Sequence, residues 1–246
     1  MSKVFAATEK LAFVACVSDV EVLQRCLLAS PCIAQGRWPL QAFFNARDAA
    51  GAFNSALAAT PPGTWLVWVH QDVLLPEGWD TRFLQALAQG VRQFPQAVVA
   101  GVYGISGRGA AARRAGHVLD RGTLLREPCP LPCLADSLDE LLFAVQAGHG
   151  LTLDPALGFD FYGTDVVLQA QSRGLQALVV DAYCEHWSNT PTGRVIPASL
   201  ARRIQASGTA FERKWAHRLP VQTSWLAVER PGDVDRFLAQ FELRQP

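Results

Sequence analysis

The sequence lacks several features that mark particular classes of protein. Its 246 residues include six cysteines but no CxxC pair and no spacing typical of a disulfide framework, which favours reduced thiols. Cys129 and Cys133 lie close together in a proline-rich stretch and are expected to be unpaired. The first residues have no signal-peptide core, and charges or turn residues interrupt every apolar run well short of a membrane span. We therefore expect a cytoplasmic protein with no integral membrane segment.

The sequence also lacks an excess of charge of either sign. Lysine plus arginine and aspartate plus glutamate both number 22, so the formal net charge is zero. This balance gives no global reason to expect nucleic acid or an anionic membrane as a partner. No GxGxxG follows the first apolar segment, so the usual dinucleotide-binding fingerprint is missing as well.

What the chain does have is a large apolar fraction arranged in short, regular segments. Half of the residues are hydrophobic and 18% are charged, which suits one large α/β domain. Apolar runs at Leu11–Val17, Leu40–Phe44 and Trp65–Val69 alternate with segments of helical periodicity, for which Ser18, Asp19 and Asp48 are candidate caps. This alternation predicts a mostly parallel sheet flanked by helices.

The rest of the chain continues the pattern less regularly. We predict a helix over 79–94 and a strand over 96–103, and then a basic, glycine-rich segment over 105–126. That segment is expected to be a solvated loop, although it could also close over a phosphate-bearing ligand. Beyond this segment we predict a linker at 128–132, a strand at 139–145, a helix at 166–173 capped by Thr164 and a strand at 178–180. Residues 197–246 are predicted to form two amphipathic helices separated by a turn at Lys214 and Trp215. The domain is predicted to divide into 1–104, 105–196 and the helices of 197–246.

The strongest candidate site follows the unbroken apolar run Trp65–Val69. It consists of the polar triplet His70, Gln71 and Asp72. Ligands of open α/β sheets bind beyond the carboxyl ends of the strands, where a carboxylate and an imidazole can hold a metal ion and the phosphates it carries. Two alternatives stay open: Asp72 only caps a turn, and His70 is a hydrogen-bonded residue at a strand end.

The order of several motifs resembles that of glycosyltransferase-like proteins of the GT-A fold, related to family-two glycosyltransferases. None of these motifs is specific alone, and the resemblance rests on their order and spacing from about Leu11 to Leu219. The motifs are His70-Gln71-Asp72, Leu75-Pro76-x-x-Trp79, Ala100-Gly101-Val102-x-Gly104, Leu138-Asp139-Glu140, Phe159-x-Phe161-Tyr162-Gly163-Thr164-Asp165, Leu168-Gln169-Ala170 and Glu185-His186-Trp187-Ser188.

The resemblance implies a metal-dependent, inverting transfer of a sugar from a nucleotide-diphospho-sugar. It makes Asp72 the ligand of Mn²⁺ or Mg²⁺, places His186 near that metal, and makes Asp165 the catalytic base. It also implies that five further residues contact the donor. Asn45 and Asp48 follow the second predicted strand, Asn54 lies on the next predicted helix, and His70 and Gln71 follow the run Trp65–Val69. Its acceptor would be a glycan, a lipid-linked carrier or a protein. If the acceptor is membrane-bound, the protein would reach it as a peripheral protein at the inner face of the membrane.

The sequence departs from the family pattern at the acidic motif. His70 stands where the family usually has the first of two aspartates, which weakens the metal assignment. The main alternative is therefore a non-catalytic nucleotide-sugar or glycan-binding protein of the same fold. A nucleotidyltransferase would need a glycine-rich basic loop after the first strand, and residues 18–21 do not form one.

Overall fold

A computed structural model describes residues 10–189 and 193–244. In chain order the strands are β1 (Leu11–Val17), β2 (Leu40–Phe44), β3 (Trp65–Val69), β4 (Val73–Leu74), β5 (Ala97–Gly101), β6 (Tyr103–Ser106), β7 (Arg113–Asp120), β8 (Thr123–Arg126), β9 (Cys133–Leu134), β10 (Ser137–Leu138), β11 (Leu142–Gln146), β12 (Gln176–Val179), β13 (Cys184–His186), β14 (Val195–Pro197), β15 (Val221–Gln222), β16 (Ala227–Val228) and β17 (Glu242–Arg244). The helices are α1 (Val20–Arg25), α2 (Pro31–Ala34), α3 (Ala49–Ala59), α4 (Trp79–Gln93), α5 (Tyr162–Ser172), α6 (Ala198–Trp215) and α7 (Asp233–Leu238).

A seven-stranded sheet in the order β2-β1-β3-β11-β5-β12-β9 forms the centre of the molecule. Strand β1 pairs parallel with β2 and β3, and β12 pairs parallel with β5. Strand β11 runs antiparallel between β3 and β5, so those two strands point the same way. Every residue of β3 and β5 is buried, as expected for strands covered on both faces. The predicted α/β class with a mostly parallel sheet is confirmed.

Helices cover both faces of this sheet. On one face, Leu23 of α1 and Phe83 of α4 join the apolar cluster that contains Phe13 of β1. On the other face, Phe53 of α3 and Val166 of α5 pack with Val14 of the same strand. The alternation of Phe13 and Val14 along β1 thus delivers side chains to two separate core layers.

A second sheet in the order β10-β6-β7-β13-β4 lies beside the first, with β8 paired to β7. It corrects the prediction that 105–126 is a solvated loop, because most of this segment belongs to β7 and β8. The two strands are joined by Arg121 and Gly122, whose φ angles of 48° and 79° are both positive. Two consecutive positive φ angles are typical of a tight hairpin turn, which glycine tolerates without strain.

Two of the four predicted helix caps are confirmed, since α1 is capped by Asp19 and not by Ser18. Asp19 accepts hydrogen bonds from the backbone N–H groups of residues 21 and 22, and Asp48 accepts one from residue 51. Thr164 is not a cap either, because α5 already begins at Tyr162. The Thr164 hydroxyl shares a 2.7 Å hydrogen bond with the Ser137 hydroxyl instead.

The carboxyl-terminal part forms a third apolar cluster against α5. Phe211 and Trp215 of α6 pack there with Phe161 and Val228. Lys214 and Trp215 lie within α6, so the prediction of a turn at these residues is wrong. Among the described residues, no helix is both long and apolar enough to cross a membrane.

Candidate metal centre at the carboxyl edge of the sheet

The second sheet brings two distant polar segments together at the end of β3. Asp72 follows β3 and precedes β4, and β4 pairs antiparallel with β13 so that Val73 lies opposite His186. The backbone N–H of Trp187 also donates to the Asp72 carbonyl at 2.9 Å. This pairing fixes His186 beside Asp72, as the family resemblance implies.

Three side-chain atoms converge at this point, and we name His70, Asp72 and His186 the metal-candidate cluster. Nε2 of His186 lies 3.4 Å from Oδ1 of Asp72, and Nδ1 of His70 lies 4.0 Å from the same oxygen. The three ligand atoms all lie within 4.8 Å of one another. Within the described ranges, Asp72 Oδ1 and His186 Nε2 are buried and have no hydrogen-bond partner. Buried polar atoms normally have partners, so this pair fits a bound cation.

A second carboxylate holds the other side of the His186 ring. Nδ1 of His186 lies 2.8 Å from Oδ1 of Asp120, the last residue of β7. Burial by itself lowers the pKa of His186, but Asp120 and Asp72 together raise it to about 9. When a ligating histidine donates one ring N–H to a carboxylate, its other nitrogen is oriented toward the metal. Asp120 therefore acts as an orienting residue that turns Nε2 toward Asp72. A pKa of about 9 keeps a proton on this nitrogen at pH 7, and a bound cation would take the place of that proton.

His70 is held by a different partner. Its Nε2 shares a 2.9 Å hydrogen bond with the hydroxyl of Tyr162, which lies at the start of α5. Burial is the main reason that the pKa of His70 falls to about 4, so the ring is neutral at pH 7. A neutral imidazole is the form that binds metals. The two alternatives for His70 are thus compatible, since Nε2 bonds to Tyr162 and Nδ1 faces Asp72.

Asp72 stays ionised in this setting. Burial acts to raise its pKa, but the neighbouring His186 and His70 hold the pKa below its usual value. An ionised carboxylate between two imidazoles supplies the negative charge that a divalent cation needs.

The other residues predicted to contact the donor lie outside this cluster and make structural contacts. Oε1 of Gln71 accepts from the backbone N–H groups of Ser18 and Asp19, which ties the ends of β3 and β1 together. Asn54 bonds to both backbone groups of Leu153.

Asn45 and Asp48 lie at the end of β2, apart from the metal-candidate cluster. Asp48 caps α3, and the backbone N–H of Asn45, at a φ of 52°, donates to Val17. The roles of these residues in donor binding stay predictions.

Asp165 lies in the first turn of α5, as predicted, but its carboxylate is fully occupied. Oδ1 accepts from Nε1 of Trp215 at 2.7 Å and lies 2.8 Å from Nζ of Lys214. Oδ2 accepts from Gln169 at 2.6 Å. The side chain has 0% exposure, whereas a base must reach the proton it removes. These contacts connect α5 to α6 and do not bring Asp165 into the cluster, and its role as base stays a prediction.

Two groups near the cluster were not singled out for roles in the sequence analysis. Asp120 was hidden in the segment predicted to be a loop. Glu140, quoted only as part of a motif, precedes β11 and lies near the start of α5, where a Cβ added to Gly163 would lie 3.1 Å from its Cγ. Neither carried the signal that identified Asp72, because no strand was predicted before Asp120 and Glu140 lies near the start of a predicted strand, not after its end.

Comparisons with known proteins find only distant similarities. No family model matches the chain. A protein of Fuscovulum blasticum named "ATP synthase subunits region ORF 6" is 29% identical over 164 residues, which cover 62% of this chain and 61% of that protein.

Two solved structures are similar over nearly the whole chain. The mannosyltransferase PcManGT from Pyrobaculum calidifontis, in complex with GDP-Man and Mn²⁺, has a TM-score of 0.47 and 12% identity and covers 96% of this chain and 71% of its own. GalNAc-T7 with UDP, GalNAc and Mn²⁺ has a TM-score of 0.49 and 12% identity. This match covers 95% of the chain but only 54% of GalNAc-T7.

Proposed function

We propose that the chain is a metal-dependent glycosyltransferase of the GT-A fold that moves a sugar from a nucleotide-diphospho-sugar to a hydroxyl acceptor with inversion. The observation that carries the proposal is the pair of facing, buried and unpartnered atoms, Asp72 Oδ1 and His186 Nε2. They lie beyond the carboxyl end of a central strand, where open α/β sheets bind ligands. The motif order described above supplies the choice of a sugar nucleotide as that ligand.

The residues of the site have separate tasks in this proposal. Asp72, His70 and His186 would hold the ion, and Asp120 and Tyr162 orient the two imidazoles through their hydrogen bonds. A bound divalent cation would neutralise the charge that develops on the departing diphosphate. Two nitrogen donors favour Mn²⁺ over Mg²⁺, because Mg²⁺ prefers oxygen ligands and near-ideal octahedral geometry.

The acceptor in this proposal is a hydroxyl of a glycan, a lipid-linked carrier or a protein. The acceptor hydroxyl attacks the anomeric carbon from the face opposite the diphosphate, and a carboxylate of the protein takes its proton. A single displacement of this kind inverts the configuration at the anomeric carbon.

A binding protein without catalytic activity is the second candidate, and one observation favours it. The carboxylate of Asp165, the residue expected to be the base, is buried and bonded to three donors. A protein that only binds sugar nucleotides needs the cluster but needs no base.

A thermal-shift panel tests the binding part of this proposal. UDP, GDP, CDP and dTDP would each be added to the parent protein with and without Mn²⁺. A specific ligand at about 100 times its dissociation constant adds about 2.7 kcal/mol of apparent stability. We expect one nucleotide to give a Mn²⁺-dependent shift that Asp72→Asn abolishes. A panel without any such shift would contradict the proposal.

Turnover separates the two candidates once the nucleotide is known. The matching nucleotide-sugars would be incubated with the parent protein and Mn²⁺, and release of the nucleoside diphosphate would be followed. Product formation, with the anomeric configuration read by NMR, supports the transferase. Tight binding without turnover across sugars and acceptors supports the binding protein.

A further inference from the structure

Glu140 is a titratable residue near the metal-candidate cluster, and the proposed function gives it no role. It lies between β10 and β11, directly before Leu141, whose carbonyl accepts a hydrogen bond from the backbone N–H of His70 at 3.0 Å. The carbonyl of Glu140 accepts from Nε1 of Trp68, a residue of β3, at 3.1 Å. The backbone of Glu140 is therefore fixed to the same strand end that carries His70 and Asp72.

The side chain of Glu140 points toward the amino-terminal end of α5. A Cβ added to Gly163 would lie 3.1 Å from Glu140 Cγ, which shows that the glutamate packs directly over this glycine. The residue is only half-buried, so that part of its surface stays accessible, in contrast to Asp165. Tyr162, at the same end of α5, bonds to His70 of the cluster. Glu140 therefore lies near the point where α5 meets the cluster.

The charges around Glu140 oppose its ionisation. Burial and the nearby carboxylates of Asp160 and Asp139 raise its pKa well above the usual value, while the Gly163 N–H and Arg203 act in the other direction. Arg203 lowers the pKa of Glu140 only weakly, because its guanidinium is bound to both carboxylate oxygens of Asp160. Tyr162 also faces this group, and its own pKa is raised by burial and then by Glu140. A raised pKa makes the ionised carboxylate a stronger base than an ordinary surface glutamate, and Glu140 can act as a base only at a pH at which it has lost its own proton.

We propose that Glu140 is the catalytic group that takes the proton of the acceptor hydroxyl. This proposal rests on the transferase function proposed above. The acceptor oxygen forms a bond to the anomeric carbon, and the bond between that carbon and the diphosphate oxygen breaks. The electron pair of the broken bond leaves with the nucleoside diphosphate, and the acceptor proton moves to the Glu140 carboxylate.

The assignment gives the two carboxylates near α5 different tasks. Asp165 bonds to Trp215, Lys214 and Gln169 and holds α6 against α5. Glu140 has no strong cation directly bound to it among the contacts of the described residues, and it lies where the cluster and α5 meet. The partial exposure of Glu140 and the backbone hydrogen bond between His70 and the adjacent Leu141 both favour Glu140 for proton removal.

The test compares the parent protein with Glu140→Gln and with a matched control, Glu77→Gln, which makes the same change at an exposed glutamate outside the cluster. Calorimetry with Mn²⁺ and the nucleotide identified above comes first, and we expect equal affinity in all three proteins. Release of nucleoside diphosphate from the matching nucleotide-sugar comes second. We expect kcat of Glu140→Gln to fall by about 100-fold or more at unchanged KM, the usual contribution of a general base, while Glu77→Gln stays within a few-fold of the parent.

Thermal unfolding against pH gives a readout that needs no turnover. A carboxyl group with a raised folded pKa stabilises the protein below its unfolded pKa, and this contribution is lost as the pH rises through the folded value. Glu140→Gln removes that loss, so its melting temperature should equal or exceed that of the parent above neutral pH. If Glu140 instead stabilised the fold, the melting temperature of Glu140→Gln would be lower than that of the parent above neutral pH.

The outcomes distinguish this inference from the proposed function. Failure of the parent to bind Mn²⁺ and any nucleotide would overturn the function and the inference together. Binding and turnover in the parent, with equal turnover in Glu140→Gln, would overturn the inference alone. A parent that binds nucleotide-sugar without turnover, or a Glu140→Gln protein that melts well below the parent at pH 8, would also overturn it.

Discussion

His186 and Asp120 are joined by a 2.8 Å hydrogen bond that follows directly from the register of two strands. In the parallel pair β7 and β13, His186 lies opposite Asp120, and in the antiparallel pair β13 and β4 it lies opposite Val73. The backbone ladders of the second sheet therefore set the position of the imidazole before any ion binds. A site built on paired strands is held more firmly than one built on loops.

Removing this orienting carboxylate should weaken metal binding without unfolding the protein. We expect Asp120→Asn to lower Mn²⁺ affinity by about 10- to 100-fold, the usual cost of losing such a partner. Calorimetry of the parent and the variant measures the change. Asp181→Asn is the control, because the Asp181 side chain is 63% exposed and faces a different histidine. Equal Mn²⁺ affinity in Asp120→Asn would contradict the orienting role.

The cluster should also discriminate between divalent metals. Two of its three ligand atoms are imidazole nitrogens, which suit transition metals better than Mg²⁺. We expect Mn²⁺ to raise the melting temperature of the metal-free protein, and Mg²⁺ at the same concentration to raise it much less. EDTA should reverse the Mn²⁺ shift, and Asp72→Asn should abolish it. An equal response to both metals would argue for a site made of oxygen ligands.

The central sheet could be predicted from sequence because its strands carry their own signal. Strand β3 is an unbroken apolar run, and its observed bounds, Trp65–Val69, match the prediction. Strand β7 carries no such signal, since it begins with two exposed arginines and its burial alternates irregularly. Its stability comes from pairing with β6, β8 and β13, and such long-range pairing is not visible in local composition.

The same difference explains which site residues could be found. Asp72 and His186 each come after an apolar run that was predicted to be a strand, and each belongs to a motif on which the resemblance to GT-A glycosyltransferases rests. Asp120 is 66 residues from His186 in sequence, and only the parallel register connects them. The predicted base Asp165 was placed in the correct helical turn, but its partners on α6 were hidden because α6 was predicted to end before Trp215.

Gly163 should tolerate no larger side chain. A Cβ at this position would lie 2.6 Å from the carbonyl oxygen of Leu138, and backbone cannot move aside as a flexible side chain can. We expect Gly163→Ala to lower the free energy of unfolding by about 1–3 kcal/mol, as overpacking usually does. Urea denaturation measures it. Gly193→Ala is the control, since a Cβ there meets nothing within 4 Å, and it should leave stability unchanged.

Asp165→Asn separates a structural role of this residue from a catalytic one. Its carboxylate accepts from Trp215 and pairs with Lys214, and an amide nitrogen turned toward these donors would leave one of them unsatisfied. We expect the free energy of unfolding to fall by about 2 kcal/mol, typical of hydrogen bonds to a buried charge. Urea denaturation again provides the measurement.

Asp154→Asn is the matched control for this change. Asp154 also pairs with Lys214 at 2.8 Å, but both of these side chains are partly exposed, at 28% and 30%. A screened pair of this kind contributes less than about 1 kcal/mol. Asp165→Asn should therefore destabilise the protein more than Asp154→Asn while Mn²⁺ and nucleotide affinity stay unchanged. If Asp165→Asn instead keeps the stability of the parent and loses turnover, Asp165 is the base, because only a residue that acts on the substrate gives that combination.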